Sequence, residues 1–181
     1  MLKELSTVKS ELKFYNQYWE YWLDQYVMPS GDIGDYHYVS SRGSTMIIPQ
    51  KDNGNFIMIK QFRYLNKKLS LEFPGGGIKP NLKPVENAIE ELKEEVGLFA
   101  NNTKYLGQYN PFNGVTNEIS HIFYMSDLRA CGSNPEPSEE FEILEISKSE
   151  IIQKISKGEI WDGMTLAAWA MYYFSPLNKV Q

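Results

Sequence analysis

The chain has one cysteine, Cys131, and two histidines, His37 and His121, among 181 residues. A lone thiol forbids an internal disulfide, and no Cys/His cluster has the spacing of a zinc site. The histidines stand far apart among strand-like residues and read as structural or surface groups. Positive charge is also scarce: 18 Lys and Arg against 23 Asp and Glu leave a net charge of −5. A general binder of phosphate backbones needs a basic surface, so a nucleic-acid role is not expected. A small anionic substrate stays open, because a metal ion can reverse the local sign of a site. No stretch approaches the roughly 20 apolar residues of a membrane span. The N-terminal stretch is charged and aromatic, without the apolar core of a signal peptide. The expectation is a cytoplasmic protein with no membrane partner.

What is present suits one packed core. Apolar residues make up 42% of a chain too short for two ordinary domains. Leu5, Val8, Leu12, Tyr15, Trp19 and Trp22 recur at three- and four-residue steps, which predicts an N-terminal helix. Its aromatic stripe suits packing on its own domain or contact with a second copy. Strands are predicted at 36–40, 44–49, 55–62 and 69–73, with a hairpin at Asp52-Asn53-Gly54 joining the second and third. A helix opens at Pro84 and closes at Gly97. Further strands follow near 105–109, 118–125 and 141–146. Ser147 and Glu150 form a capping box for a helix ending near Gly158, and a last helix covers about 163–174. Residues 129–140 read as a loop. The expected division is a helix and strand segment over 1–43, suited to dimerisation, and a larger domain over 44–181.

The chemistry concentrates between Gly75 and Leu98. Glu91 and Glu95 are four apart and Glu94 is three from Glu91, which places all three on or near one helix face. Glu86 and Glu90 add charge that such a helix has to tolerate. One reading is a solvated acidic face partly relieved by Lys93. The other is a site for magnesium or manganese, which take hard oxygen ligands and bridge to substrate phosphates. The preceding Gly75-Gly76-Gly77 favours the second, since backbone without Cβ can pass close to a ligand or metal.

The run Gly76–Leu98 resembles the Nudix box: glycine, five residues, glutamate, seven residues, then Arg-Glu-apolar-x-Glu-Glu-x-Gly-apolar. Here the second half reads Glu90-Glu91-Leu92-Lys93-Glu94-Glu95-Val96-Gly97-Leu98. Leu82 stands in place of the first glutamate and Glu90 in place of the arginine. Gln61-Phe62-Arg63, Leu71 to Gly77, Val27 to Gly31 and Gly158 to Leu166 are similar to the ADP-ribose and nucleotide-sugar pyrophosphatase branch.

The resemblance implies an α/β fold, a Nudix-type α/β/α sandwich with a mixed central sheet, and a homodimer formed through the N-terminal region. It implies Mg2+ or Mn2+ held by Glu91, Glu94, Glu95 and the Gly75 carbonyl. Arg63 would contact phosphate or sugar, with a surface ion pair as the plainer role. Glu72 and Gly76 would border the substrate, as would Glu118 at the end of the loop Asn110–Glu118. Glu139 matches a catalytic loop glutamate, with Glu140 as the neighbouring alternative. The implied reaction is hydrolysis of a nucleoside diphosphate linked to another group, ADP-ribose giving AMP and ribose 5-phosphate. GDP-mannose or another nucleotide sugar is the alternative substrate. A non-catalytic nucleotide-binding module is the alternative class, favoured by Leu82 and Glu90.

Overall fold

The structure is a computed structural model, and it describes Leu2, residues 4–132 and residues 140–179. The chain divides into two compact units, one comprising residues 1–43 and 110–119, the other residues 44–109 and 120–181.

The first unit corrects the N-terminal helix. Strands β1 (Thr7–Tyr15), β2 (Trp19–Val27) and β3 (Ile33–Ser41) form an antiparallel sheet in the order β1-β2-β3. The stripe that looked helical is split by a turn at Asn16, whose side-chain oxygen accepts from the backbone N–H groups of Tyr18 (2.8 Å) and Trp19 (2.9 Å). Such an Asn-centred turn competes directly with helix. Leu12 and Trp22, ten apart in sequence, become cross-strand partners. Thr, Val, Tyr and Trp are the residues that suit a pleated surface. The 110–119 loop attaches here through a bridge from Thr116 to Val39 and the Tyr36 hydroxyl donating to the Gly114 carbonyl (3.1 Å).

The second unit holds the core. Strand β4 (Ser44–Pro49) is followed by β5 (Phe56–Arg63), β6 (Lys68–Glu72) and β7 (Gly75–Gly77). Helix α1 (Pro84–Val96) comes next, then strands β8 (Leu98–Tyr109), β9 (Ser120–Ala130) and β10 (Glu142–Ile146). Helices α2 (Lys148–Ser156) and α3 (Gly163–Tyr173) end the fold with a short 3-10 turn. The central sheet runs β7-β4-β9-β8, with β4 and β9 parallel and the other pairs antiparallel. A second sheet runs β10-β5-β6.

The expected β4–β5 hairpin is therefore a turn without a ladder. Gly54 closes it at φ 86°, but only Gln50 and Phe56 bridge before the two strands part into different sheets. Burial explains the parting, because β4 and the first half of β5 are buried throughout and each is paired on both edges.

Alternation along these strands sorts the core into two layers. Met46, Ile48, Phe56, Met58 and Ile122 pack with Ala168, Trp169 and Tyr172 of α3 and with Ile151 of α2. Ile47, Ile57, Ile59, Phe123 and Met125 pack with Ala88, Leu92 and Val96 of α1. Helices thus cover both faces of a mixed sheet, as the α/β/α expectation required.

Candidate active site on the acidic helix

Helix α1 is fixed at both ends. Pro84 occupies its first turn, and the Glu86 carboxylate accepts from the Lys83 backbone N–H (2.8 Å). Gly97 ends it in the left-handed region at φ 68°, and its N–H donates to Lys93 O (3.0 Å). Ala88, Leu92 and Val96 point into the core. The adjoining face carries Glu91 and Glu95, both buried, with Glu94 partly exposed and Glu90 exposed.

The glycines of β7 pass directly over that face. The Gly75 N–H donates to Glu95 Oε2 (2.9 Å). A Cβ on Gly76 would lie 2.9 Å from the Glu91 carboxylate, and one on Gly75 would lie 2.2 Å from the Thr45 carbonyl oxygen. The loop after β7 is pinned by Asn87, which is fully buried on α1. Its side-chain oxygen accepts from Lys79 N (2.9 Å), and its amide donates to Thr45 Oγ1 on β4 (3.0 Å).

A second group of charges adjoins the first. Glu72, at the end of β6, is 2% exposed and forks onto Arg63 of β5. Arg63 Nε donates to Glu72 Oε1 (2.8 Å), its Nη2 donates to Glu72 Oε2, and Gln61 adds a weaker contact at 3.4 Å. The hydrogen bond to Glu72, opposed by burial, holds the guanidinium above its ordinary value, and Asp162 and Glu95 add attraction. Asp162 also caps α3 by accepting from Thr165 N (2.7 Å), while Thr165 Oγ1 accepts from Phe73 N (3.1 Å) just before the glycines. The segment Gly158–Leu166 thereby steadies the strand that leads into the site.

Lys79 is the residue that sequence reasoning passed over. Its Nζ donates to Glu94 Oε2 and lies 3.8 Å from Glu90 and 4.0 Å from Glu91. Burial alone would lower the ammonium's pKa, but the bond to Glu94 and the charges of Glu91, Glu94 and Glu90 outweigh it and hold it above the ordinary range. Spacing gave no signal for this contact, because Lys79 lies in a loop and its partners on a helix. Asn87 gave none either, since a lone amide inside a helix usually faces solvent.

The sequence candidates fall into three groups. Gly75, Gly76, Glu91 and Glu95 meet one another directly, with Glu94 beside them, and Arg63 and Glu72 form the adjoining ion pair. Glu118 belongs to the 110–119 loop of the other unit, where its N–H donates to Thr116 Oγ1 (3.0 Å). Glu139 lies outside the described residues, and Glu140 is described and exposed. His121 packs against Tyr105 on β8, and burial pushes its pKa down.

The donor set suits a hard divalent cation. Among the described residues no three acidic, His or Cys side chains converge as a preformed cage. Magnesium does not require one: it keeps several waters and binds through one or two carboxylates together with substrate phosphate. The Glu94–Lys79 contact shows that this face already takes a positive group.

The fold and the acid-faced helix beneath a glycine strand define a Nudix hydrolase. The NUDIX domain model matches residues 40–162, and the chain belongs to that family. It is similar to ADP-ribose pyrophosphatase of Bacillus subtilis strain 168, 25% identical over 98% of this chain and 96% of the relative. It is also similar to the methanol dehydrogenase activator of Bacillus methanolicus, at 24% identity over 92% and 91%. GDP-mannose pyrophosphatase of Yersinia enterocolitica is 29% identical over 71% of this chain and 72% of its own. A solved ADP compounds hydrolase shares the fold with a TM-score of 0.86 at 18% identity, covering 99% of this chain and 98% of that one. Among the described residues no helix is long and apolar enough to cross a membrane.

Proposed function

We propose that the protein hydrolyses the pyrophosphate bond of ADP-ribose, giving AMP and ribose 5-phosphate, with Mg2+ or Mn2+ as its metal. The observation that carries this reading is the pair of buried carboxylates, Glu91 and Glu95, facing backbone that has no Cβ. The nearly full-length similarity to ADP-ribose pyrophosphatase supports the substrate. Glu91, Glu95 and the Gly75 carbonyl would hold the metal, with Glu94 assisting. When bound, the metal supplies a more acidic water and neutralises charge on the phosphates.

The chain's own residues do the rest. The Gly75 N–H orients Glu95, and the absent Cβ of Gly76 leaves Glu91 its place. Glu72 fixes the plane of the Arg63 guanidinium, whose side chain keeps 46% of its surface exposed, enough to meet a phosphate or sugar. A loop carboxylate, Glu139 or Glu140, would accept a proton from water. Gly76 would border the substrate. The exposed apolar residues of β1 to β3, including Val8, Phe14 and Trp19, suit contact with a second copy, which size-exclusion chromatography with light scattering would detect.

A second substrate reading has its own support in the likeness to GDP-mannose pyrophosphatase. Purified protein offered ADP-ribose and GDP-mannose side by side decides between them. AMP release that requires metal supports the first reading, and GMP release at a higher kcat/KM replaces it with the second.

A further inference from the structure

Four carboxylates project from one side of α1 at positions 90, 91, 94 and 95, those of Glu91 and Glu95 buried, that of Glu94 partly exposed and that of Glu90 exposed. Pairs three and four apart repel one another, and burial of Glu91 and Glu95 sharpens the cost. Lys79 is placed to relieve it, with its ammonium bonded to Glu94 and 3.8–4.0 Å from Glu90 and Glu91. The contact is built rather than incidental, because buried Asn87 holds the Lys79 backbone and ties it to β4.

The position of Lys79 also accounts for both departures from the box pattern. The pattern puts an anion at position 82 and a cation at position 90. Here the cation sits at 79 and the anion at 90, so these positions together with 91, 94 and 95 still hold four carboxylates and one cation. Residues 79 and 82 share one turn, closed by Leu82 N donating to Lys79 O (3.3 Å). The turn that lacks the pattern's acid is the turn that carries Lys79.

We propose that Lys79 is the resident counter-cation of this helix face, and that a divalent ion binds by displacing its ammonium from Glu94. Lys79 is a positioning residue here: it keeps the carboxylates grouped until the metal arrives, and it sets how tightly the metal is taken. The inference rests on reading the acidic face as a metal site. Lys79 and the metal compete for the same oxygen, so neutralising Lys79 strengthens metal binding and weakens the metal-free fold.

The test measures Mn2+ binding to the full chain by electron paramagnetic resonance, beside thermal melting with and without metal. Lys79→Met is expected to bind Mn2+ about tenfold more tightly than wild type, because one repelling charge has left a partly screened site. It is also expected to melt lower without metal and to recover when metal is added. Lys79→Arg, which keeps the charge, is expected to stay close to wild type. Unchanged or weaker binding in Lys79→Met, with Glu95→Gln still abolishing binding, overturns the role of Lys79 and leaves the metal site standing. Mn2+ binding that survives Glu95→Gln, or is absent from wild type, overturns the metal-site reading itself.

Discussion

Alanine placed in turn at Gly75, Gly76 and Gly77 meets three different surroundings. At Gly75 the new Cβ lies 2.2 Å from the Thr45 carbonyl oxygen and 3.0 Å from Met46 Cα, both backbone atoms of the paired strand. Backbone in a ladder cannot swing aside, so the β4–β7 pairing must open. The expected loss is about 3 kcal/mol, the upper part of the range for overpacking. For a chain of this size that lowers Tm by about 6–12 °C. At Gly76 the Cβ meets the far end of the Glu91 side chain at 2.9 Å. A carboxylate can rotate away, so stability falls by only about 1 kcal/mol or less. Activity suffers more, because a misplacement of about 1 Å in a catalytic constellation can cost about a hundredfold. At Gly77 nothing lies within 4 Å, and alanine should be neutral in both respects. Differential scanning calorimetry and initial rates of pyrophosphate-bond hydrolysis would be measured on all three. A Gly76→Ala enzyme with wild-type turnover, or a Gly75→Ala protein as stable as Gly77→Ala, would contradict these expectations.

Other substitutions probe the supports of the site. Arg63→Ala strips buried Glu72 of its forked partner and should cost about 1–3 kcal/mol in urea denaturation, with KM raised; an unchanged midpoint would show that the pair is incidental. Asn87→Ala removes two hydrogen bonds of a buried amide and should likewise cost about 1–3 kcal/mol, detectable as an earlier unfolding transition. Glu145, held by Lys51, Asn53 and Asn55, has its pKa lowered from 4.5 to about 2. A lowered carboxyl stabilises the fold above its ordinary pKa, and that contribution fades as pH falls from 4.5 toward 2. Glu145→Gln should therefore be less stable than wild type at neutral pH, with the gap narrowing below pH 4.5 and closing below about pH 2; a gap independent of pH would contradict this.

The sequence carried local signals that the structure bears out where one element declares its own ends. Pro84 and Gly97 bracket α1, and Ser147 caps α2 by accepting from Glu150 N (3.2 Å). The N-terminal stripe misled because hydrophobic spacing cannot see a turn: Asn16 breaks the period and pairs Leu12 with Trp22. Strand β8 begins at Leu98, well before the expected Tyr105, because its polar stretch Asn101-Asn102-Thr103 hides an edge strand held by β9 on one side. The carboxylates of the site were legible, since a helix face follows from spacing alone. Lys79, Asn87 and the Arg63–Glu72 fork were not legible as contacts, because each joins elements that only the fold brings together.

The most direct test of the proposed hydrolase activity is AMP release from ADP-ribose by the purified protein, with magnesium and with chelator, beside Glu95→Ala. Turnover should need the metal and disappear in the variant while the fold, read by circular dichroism, persists. Metal-independent turnover, or full turnover in Glu95→Ala, would contradict this.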